Sequence, residues 1–312
     1  MATDGIRRIL VTGATGKQGG AVVKALLANP PPFDHEILAL TRKVTSASAQ
    51  KLSSNPKVKI IQGDLDNVGA VFESAGGPGA VWGVFSMQLP SMKKLKEGVV
   101  DKEVAQGCTL FDAALANGVK HFVYSSVDRG GNKSFENHTP IPHFITKCDV
   151  ELHIRDKATA TAASNMTWTI LRPVAFMDNL QPNFFGRVFA AMWAQMEPKK
   201  LQLVAVRDIG TFAAQAFAHS EKEDYKNQAI GLAGDELSQK EAAEIFWQVK
   251  GRPMVQSYWF IASFIKWAIA DLGIMFKWFE DEGYGVDIEK CKRLNPDMMD
   301  FKTYLAMESK FH

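Results

Sequence analysis

Residues 8–20 read RILVTGATGKQGG. The opening RILVT is a short apolar run typical of a buried parallel strand, and a helical stretch follows from Gly19. Between them, glycines recur every third residue. This spacing predicts a sharp turn at Gly13, bare backbone open to a pyrophosphate at Gly16, and close packing of helix on strand at Gly19. Because the first amides of a helix attract anions, we predict a dinucleotide-binding loop here.

The first half of the chain repeats this pattern of apolar run, turn and amphipathic stretch. The further strand-like runs are Glu36 to Thr41, Val58 to Gln62, Ala80 to Ser86, His121 to Ser125 and Trp168 to Leu171, the last ended by Arg172 and Pro173. The predicted crossover helices are Gly19 to Asn29, Asp66 to Ala75, Lys96 to Asn117 and Phe144 to Ala163. The alternation predicts an α/β fold with a doubly wound parallel sheet of the Rossmann type.

Beyond Pro173 this alternation stops and the chain becomes mostly helical. We therefore predict a dinucleotide-binding domain over residues 1–174 and a smaller substrate or interaction domain over residues 175–312. Within the second domain, residues 201–218 contain a strand-like run and a helix that Asp208 would cap. This segment could pack back on the first sheet.

Composition excludes several classes of protein. The chain has 312 residues, of which 46% are hydrophobic and 22% charged, so disordered, collagen-like and coiled-coil folds are excluded. The formal net charge of +2 predicts no nucleic-acid or anionic-membrane partner. The three cysteines have neither metal-ligand nor disulfide-framework spacing, and no apolar run precedes Ile6. We expect no metal site, and a cytoplasmic protein whose entry into the nucleus stays open.

A very apolar segment runs from Tyr258 to Phe279. Lys266 and Asp271 interrupt it, so we predict a soluble helix rather than a membrane span. Its rings are consistent with a pocket wall for a flat apolar substrate, with the core of a helical domain, or with a dimer surface. The seven large rings are Trp259, Phe260, Phe264, Trp267, Phe276, Trp278 and Phe279.

The end of the second strand indicates which coenzyme is bound. An NAD site usually has an acidic residue there, whereas this strand ends in Thr41, Arg42 and Lys43. A guanidinium suits a 2′-phosphate, so we predict NADP(H), although two solvated cations are the alternative. Asp64 is placed to meet the adenine, but it is also a good helix cap. The other predicted coenzyme contacts are Thr15, Lys17, Gln18, Leu65, Ser86, Met87, Lys147, Pro173 and Phe176.

The chain resembles the NmrA-like family of atypical short-chain dehydrogenases/reductases, with some motifs similar to fungal members. The resemblance rests on VTGATGKQGG (11–20), QGDLDN (62–67), NGVKHFVYSSV (117–127), PHFITK (142–147), TILRPVAFMDNL (169–180) and VRDIG (206–210). It implies a pocket between the two domains. It also implies NADP binding by Gly13, Thr15, Gly16, Gln18, Gly19 and Arg42.

The resemblance identifies candidate catalytic residues and one departure. Short-chain dehydrogenases generally carry a Tyr-x-x-x-Lys pair; here Lys147 is kept, but His143 stands at the tyrosine position. Residues four apart share a helix face, so the two could act together, although a neighbouring cation favours neutral imidazole, a poor proton donor. Lys147 is alternatively a ribose-binding or solvated lysine, and His143 a helix cap. Ser126, or else Ser125, is the expected substrate-orienting hydroxyl.

Three functions follow from these residues. The first two are NADPH-dependent reduction of an apolar, aromatic small molecule in the interdomain cleft, and a non-redox acid/base step such as cyclisation beside the nucleotide. The third is a non-catalytic NADP(H) sensor that regulates a protein partner such as a transcription factor. The chain would be a monomer or a homodimer. The predicted pocket residues are Phe176, Met177, Asn179, Trp267, Trp278 and Glu280, the last being either a proton-transfer group at an apolar rim or part of a solvated turn.

Overall fold

The computed structural model describes residues 5–89, 101–160 and 165–311. The chain divides into two compact units, each assembled from separate segments. The first unit is Met1–Ser126, Thr146–Arg172 and Ile209–Ile230; the second is Val127–Ile145, Pro173–Asp208 and Gly231–His312. This division differs from a single boundary near residue 175, because each unit takes one segment from the other side of that boundary.

Seven strands form the sheet of the first unit. In chain order, the strands of the described residues are β1 (Arg7–Val11), β2 (His35–Thr41), β3 (Val58–Gln62), β4 (Gly83–Ser86), β5 (His121–Ser125), β6 (Thr167–Pro173), β7 (Ala175–Phe176), β8 (Leu201–Val204), β9 (Gln228–Leu232) and β10 (Asp235–Leu237). The sheet order is β3-β2-β1-β4-β5-β6-β9, and the five neighbouring pairs from β3 to β6 are parallel. Strand order reverses at β1, which confirms the predicted doubly wound fold.

Twelve helices are present in the described residues, and the earlier ones connect the parallel strands of the first sheet as crossovers. The helices of the described residues are α1 (Lys17–Ala28), α2 (Ala47–Ser53), α3 (Val68–Ser74), α4 (Lys102–Ala116), α5 (Pro142–Ala160), α6 (Phe184–Ala194), α7 (Val206–Ala218), α8 (Gln239–Lys250), α9 (Trp259–Ala268), α10 (Ala270–Asp281), α11 (Ile288–Leu294) and α12 (Phe301–Met307). The four predicted crossover helices are present with shifted ends, and α2 is an addition. Residues 96–100 and 161–163 of two predicted helices lie outside the described residues.

The central strands are apolar because both faces of the sheet are covered. Every residue of β4, β5 and β6 is buried, so these strands lack the polar alternation of a half-exposed sheet. One buried ion pair fastens a helix to this sheet. Arg172 of β6 donates to both carboxylate oxygens of Glu151 on α5, at 3.1 and 2.7 Å.

The second unit combines a small sheet with most of the later helices. Its three strands have the order β10-β8-β7, with β7 parallel and β10 antiparallel to β8. Helices α6, α8, α9, α10 and α12 contribute to a core rich in Phe, Met and Trp. The mostly helical character expected of the later part of the chain is therefore present.

The predictions for the end of β6 and for the cap of α7 were wrong. Strand β6 continues past Leu171 through Pro173, since a proline lacks only the donor and its carbonyl still accepts from Asp128 N at 3.1 Å. Asp208 does not cap α7 but lies in its first turn. The carboxylate that accepts from the amide of Val206, the first residue of α7, is Asp178 Oδ2, at 2.9 Å.

The aromatic segment is not the single helix that we predicted. It consists of α9 and α10, bent by 112° at Ile269. Gly273 makes the bend possible, since a Cβ there would lie 2.5 Å from the carbonyl oxygen of Lys266. Among the described helices, none alone is long and apolar enough to cross a membrane; α9 and α10 meet that length and composition only when taken together.

Candidate functional site

The strand register gathers four predicted site segments at one edge of the first sheet. Because the paired strands are parallel and in step, the residues that end or follow neighbouring strands lie side by side at the carboxyl edge. They are Arg42 after β2, Gly13 after β1, Met87 after β4 and Ser125 at the end of β5. Ligands of doubly wound sheets bind at this edge, next to the point where strand order reverses.

The glycine loop has the backbone that an anion site requires. Gly13 has a φ of 60°, in the left-handed region, and its carbonyl accepts from Gly16 N at 2.8 Å. A Cβ on Gly19 would lie 2.5 Å from the Thr12 carbonyl oxygen, so only glycine permits this approach of α1 to β1. Helix α1 has no side-chain cap and no acidic residue in its first turn. Its first amides therefore suit a bound anion, while Thr15, Gly16 and Lys17 are exposed.

Met87 is locked to the end of β1. The hydroxyl of Thr12 donates to the Met87 carbonyl at 3.0 Å and accepts from the Met87 amide at 2.8 Å. A Cβ on Gly13 would lie 2.9 Å from Met87 Sδ, so this side chain lies against the glycine turn. The hydroxyl of Ser86 is buried and accepts from Gln88 Nε2 at 3.0 Å.

The serine that contacts the glycine loop is Ser125. Its hydroxyl donates to Gln18 Oε1 at 2.6 Å, which connects the end of β5 to the first turn of α1. Ser126, the serine that the sequence favoured, is buried, and its amide donates to the Leu171 carbonyl at 2.8 Å. The structure thus associates Ser125 with the predicted coenzyme loop, and a substrate-orienting role of Ser126 stays a prediction.

Lys147 is held by a carboxylate that the sequence did not indicate. Its Nζ lies 2.8 Å from Glu103 Oε1, and Thr146 Oγ1 donates to the other oxygen at 2.6 Å. The side chain of Glu103 is completely buried, and that of Lys147 is 14% exposed. Lys147 Nζ also lies 5.9 Å from the ring centre of Tyr124. In the sequence, Glu103 was recognisable only as an acidic residue in the first turn of α4. That pattern indicates the start of a helix and does not identify the partner of a lysine.

The cations after β2 are exposed beside an acidic group. Asp66 accepts from Lys102 Nζ at 2.5 Å and from Gln106 Nε2 at 2.6 Å. The hydrogen bond from Lys102 lowers the pKa of the Asp66 carboxyl, followed by that from Gln106, and the charge of Arg42 adds to the effect. Lys43 is exposed as well, and its amide donates to Thr41 Oγ1 at 3.3 Å.

Asp64 has the capping role that was the alternative to adenine binding. Its Oδ1 accepts from the Asp66 amide at 3.1 Å and begins the short 3-10 helix Leu65–Asn67. This contact occupies one carboxylate oxygen. An adenine contact by Asp64 or Leu65 stays a prediction.

His143 and Lys147 lie on the same helix but bind different carboxylates. His143 Nδ1 is 2.6 Å from Asp271 Oδ2, within the second unit, whereas the Lys147 pair belongs to the first unit. Both His143 and Asp271 are 20% exposed. The expected shared action of the two residues on one atom stays a prediction.

The predicted pocket residues differ widely in exposure. Met177 and Trp278 are buried in its core, Phe176 and Glu280 are half-buried, and Asn179 and Trp267 are exposed, Trp267 by 78%. Pro173, a predicted coenzyme contact, is buried at the end of β6. The apolar tail is thus divided, with the rings of α10 buried and all four rings of α9 exposed.

One cavity is described within the second unit, with a volume of about 390 Å³. Trp278 is the one predicted pocket residue that lines it. The lining consists of Pro140, Gly273, Ile274, Lys277, Trp278, Asp281 and Glu282.

Comparison with known proteins identifies what the chain is similar to. The sequence profile of the NmrA-like family matches residues 6–308. The nitrogen metabolite repression protein nmr of Neurospora crassa is 26% identical over 275 residues, which is 80% of this chain and 54% of that protein. The chain therefore spans about half the length of this longer relative.

Solved structures with the same fold include a regulator and a reductase. The crystal structure of NmrA, a negative transcriptional regulator in complex with NADP, matches with a TM-score of 0.69 and 17% identity, covering 97% of this chain and 95% of that one. The Citrobacter sp. triphenylmethane reductase complexed with NADP(H) matches with a TM-score of 0.67 and 20% identity, covering 96% and 100%. At these identities the similarity establishes the fold alone.

Proposed function

The chain belongs to the NmrA-like family, and from that premise we propose that it binds NADP(H) and uses it to reduce an apolar, aromatic small molecule. The observation that carries the proposal is the sheet edge of the first unit. There an uncapped helix start, a left-handed glycine and an exposed arginine meet side by side. No other chemistry explains this combination as well as a dinucleotide with an additional phosphate.

The glycine loop would hold the pyrophosphate. The first-turn amides of α1 offer hydrogen-bond donors, and Gly19 keeps the helix close enough to β1 for those donors to reach the sheet edge. Both solved relatives described above contain NADP or NADP(H). These complexes support the assignment of the glycine loop to the pyrophosphate of NADP(H).

Arg42 would recognise the 2′-phosphate. It is exposed at the end of β2, level with the glycine turn in the parallel register, and no acidic residue occupies the position of an NAD-type ribose acceptor. Lys43 adds a second positive charge. Charge-assisted hydrogen bonds of about 1.5–3 kcal/mol each would favour NADP(H) over NAD(H) by at least about tenfold.

Lys147 and Ser125 would act on the reacting groups. Bound NADPH would supply a hydride. Reduction of a ketone or quinone also takes up a proton at the oxygen, whereas a cationic triarylmethane dye needs the hydride alone. The ammonium of Lys147 is oriented by buried Glu103 and is the proton donor that we assign to the substrate heteroatom. Ser125 is fixed through Gln18 and would orient the substrate by a hydrogen bond.

Stereospecific isotope transfer tests the reduction. NADPH carrying deuterium on one or the other face of C4 is incubated with the protein and a panel of aromatic ketones, quinones and triarylmethane dyes. We expect deuterium in the product from one of the two labelled coenzymes and not from the other. If a substrate is consumed while NADPH stays unchanged and its label is retained, a non-redox acid/base step such as cyclisation replaces reduction.

A second candidate function is a non-catalytic NADP(H) sensor. The observation that favours it is the absence of a tyrosine at position 143, where a histidine is paired with Asp271. Two proteins similar to this chain are named as a repression protein and as a negative transcriptional regulator. A sensor would bind NADP and NADPH with different affinities, and no member of the substrate panel would oxidise NADPH.

A further inference from the structure

Apart from Ser263 and Lys266, helix α9 is apolar on its solvent-facing side as well as on its buried side. Ala262 is buried in the core of the second unit, and Ile261 and Ile265 are half-buried against it. The arc opposite these residues carries large aromatic rings. A helix that is hydrophobic all round is normally buried, so the outer arc of α9 has the composition of an interface. The exposed rings of α9 are Trp259, Phe260, Phe264 and Trp267.

The exposed rings continue onto the start of α6. The amide of Ser257, two residues before α9, donates to the Arg187 carbonyl in the first turn of α6 at 3.0 Å. Further along, Gln195 Nε2 donates to the Trp259 carbonyl at 2.8 Å, which fixes α9 against α6. Seven rings, 53–78% exposed, thus lie on two joined helices of one unit. This aromatic surface consists of Phe184, Phe185, Tyr258, Trp259, Phe260, Phe264 and Trp267.

The rings of this surface are ordered against one another. Tyr258 stacks on Phe260 with ring centres 5.6 Å apart and planes 10° apart. Phe264 and Trp267 are 5.7 Å apart. Rigid aromatic side chains lose little conformational entropy when a partner covers them, which makes them effective binding residues.

The area of the aromatic surface matches one side of a protein dimer. Each large ring buries about 150–250 Å² when fully covered. With about two-thirds of each ring exposed, seven rings offer on the order of 1,000 Å². The largest apolar patch of an ordinary monomer is about 300–600 Å². A specific interface needs about 800 Å² from each partner, so this one surface is large enough to be one half of a stable dimer.

The charges of the segment favour a second copy over a lipid surface. Lys266 is the one charged residue between positions 255 and 270, and its Nζ lies 5.9 Å from the centre of the Phe276 ring, turned toward its own unit. Arg187, in the first turn of α6 beside Phe184 and Phe185, adds one exposed positive charge. In a two-fold dimer each surface meets itself, and a surface with so little charge of one sign brings little repulsion. Helices that lie on anionic membranes carry many basic residues, and one lysine and one arginine supply little of that attraction.

We propose that the aromatic surface binds a second copy of this chain in a two-fold symmetric dimer. Trp259 and Trp267 are the central contact residues, because Trp and Tyr contribute most to the affinity of such interfaces. The dimer is independent of coenzyme binding, which uses residues of the first unit. A failure of the proposed function would therefore leave this inference intact, and the reverse also holds.

Sedimentation velocity over a wide range of protein concentration tests the proposal on the full chain. The wild type should be a dimer, and Trp267→Glu should raise the dissociation constant at least about 30-fold. Trp259→Glu should do the same. The matched control is Trp247→Glu, which places the same charge at an exposed tryptophan of α8, outside the aromatic surface. This control should stay dimeric, and circular dichroism verifies that all three variants are folded.

Three results would overturn the proposal. The first is a wild type that is monomeric at every concentration. The second is a dimer that persists in both Trp259→Glu and Trp267→Glu, or that is lost equally in Trp247→Glu. The third is a monomeric wild type that co-sediments with phosphatidylcholine–phosphatidylserine vesicles while Trp267→Glu does not, which would make the surface a membrane-binding one.

Discussion

Lys147 Nζ lies 2.8 Å from Glu103 Oε1, and the glutamate side chain of this pair is completely buried. The two residues are separated by 44 positions and come from different crossover helices of the first unit. A buried carboxylate costs free energy unless it is paired, so the pair fixes the ammonium in one orientation. In the proposed function, that orientation is what makes Lys147 a proton donor.

Removal of the charge of Glu103 should weaken both stability and turnover. Glu103→Gln keeps the shape but leaves the mostly buried ammonium without a counter-charge, and we expect a loss of about 2–3 kcal/mol in the free energy of unfolding, measured with urea. The turnover number for NADPH oxidation should fall at least about tenfold. Glu221→Gln, which breaks the exposed pair with Lys226, is the control and should change stability by less than about 0.5 kcal/mol. Equal effects of the two variants would contradict the assigned role.

Gly19→Ala should weaken coenzyme binding. The added Cβ would meet the Thr12 carbonyl at 2.5 Å, so α1 must move away from β1 and carry its amides with it. We expect NADPH affinity, measured by fluorescence titration, to fall at least about tenfold. Gly69→Ala in α3 meets nothing closer than 3.8 Å and should leave affinity unchanged while stabilising the helix by up to about 1 kcal/mol. NADPH affinity of wild-type strength in Gly19→Ala would refute the role of the glycine loop.

Arg42→Glu should reverse the preference between coenzymes. The substitution replaces a donor to the 2′-phosphate with an acceptor for a ribose 2′-hydroxyl. We expect NADPH to bind at least about tenfold more weakly and NADH to bind as well as before or better. Lys59→Glu serves as control. It makes the same charge change at an exposed position in the middle of β3, away from the carboxyl ends of the strands. Equal affinities for NADPH and NADH in both the wild type and Arg42→Glu would contradict the NADP(H) assignment.

Stability should depend on pH through Asp208. Burial raises the pKa of this carboxyl from its ordinary value of 3.8 to about 6, and among the described residues its Oδ1 has no hydrogen-bond partner. Between about pH 4 and pH 6 the folded chain therefore holds a proton that the unfolded chain has released. The free energy of unfolding consequently decreases as pH rises through this interval.

Asp208→Asn should remove that decrease. The amide oxygen can still accept from Met299 N, and above pH 6 we expect a gain on the order of 2 kcal/mol over the wild type. Urea unfolding at several pH values measures the effect. Asp297→Asn, at an exposed position, should keep the wild-type slope. A slope that is unchanged in Asp208→Asn would mean that Asp208 is not the group that titrates.

The sequence was sufficient for features that depend on local pattern. The turn at Gly13 and the close approach at Gly19 follow from short runs of residues whose spacing has one physical explanation. The predicted strands Val58 to Gln62 and His121 to Ser125 have the observed ends. The parallel order of the sheet followed from the alternation of strands and helices.

Features that depend on contacts between distant segments could not be predicted. The partner of Lys147 is 44 positions away, and the acceptor at the start of α7 is Asp178, 28 positions before it. The bend between α9 and α10 brings Gly273 close to the carbonyl oxygen of Lys266. Helical periodicity does not reveal this contact. Apolar periodicity likewise predicted a stripe that packs in a core or a pocket wall, yet the ring of Trp267 faces solvent. Periodicity identifies an apolar helix face but does not specify what covers it.

The central claim is that this chain binds NADP(H) through the first unit, and isothermal titration calorimetry on the purified chain tests it most directly. We predict one site per chain for NADPH and for NADP, with NADH at least about tenfold weaker. No heat of binding with either oxidation state of the phosphorylated coenzyme would contradict the account.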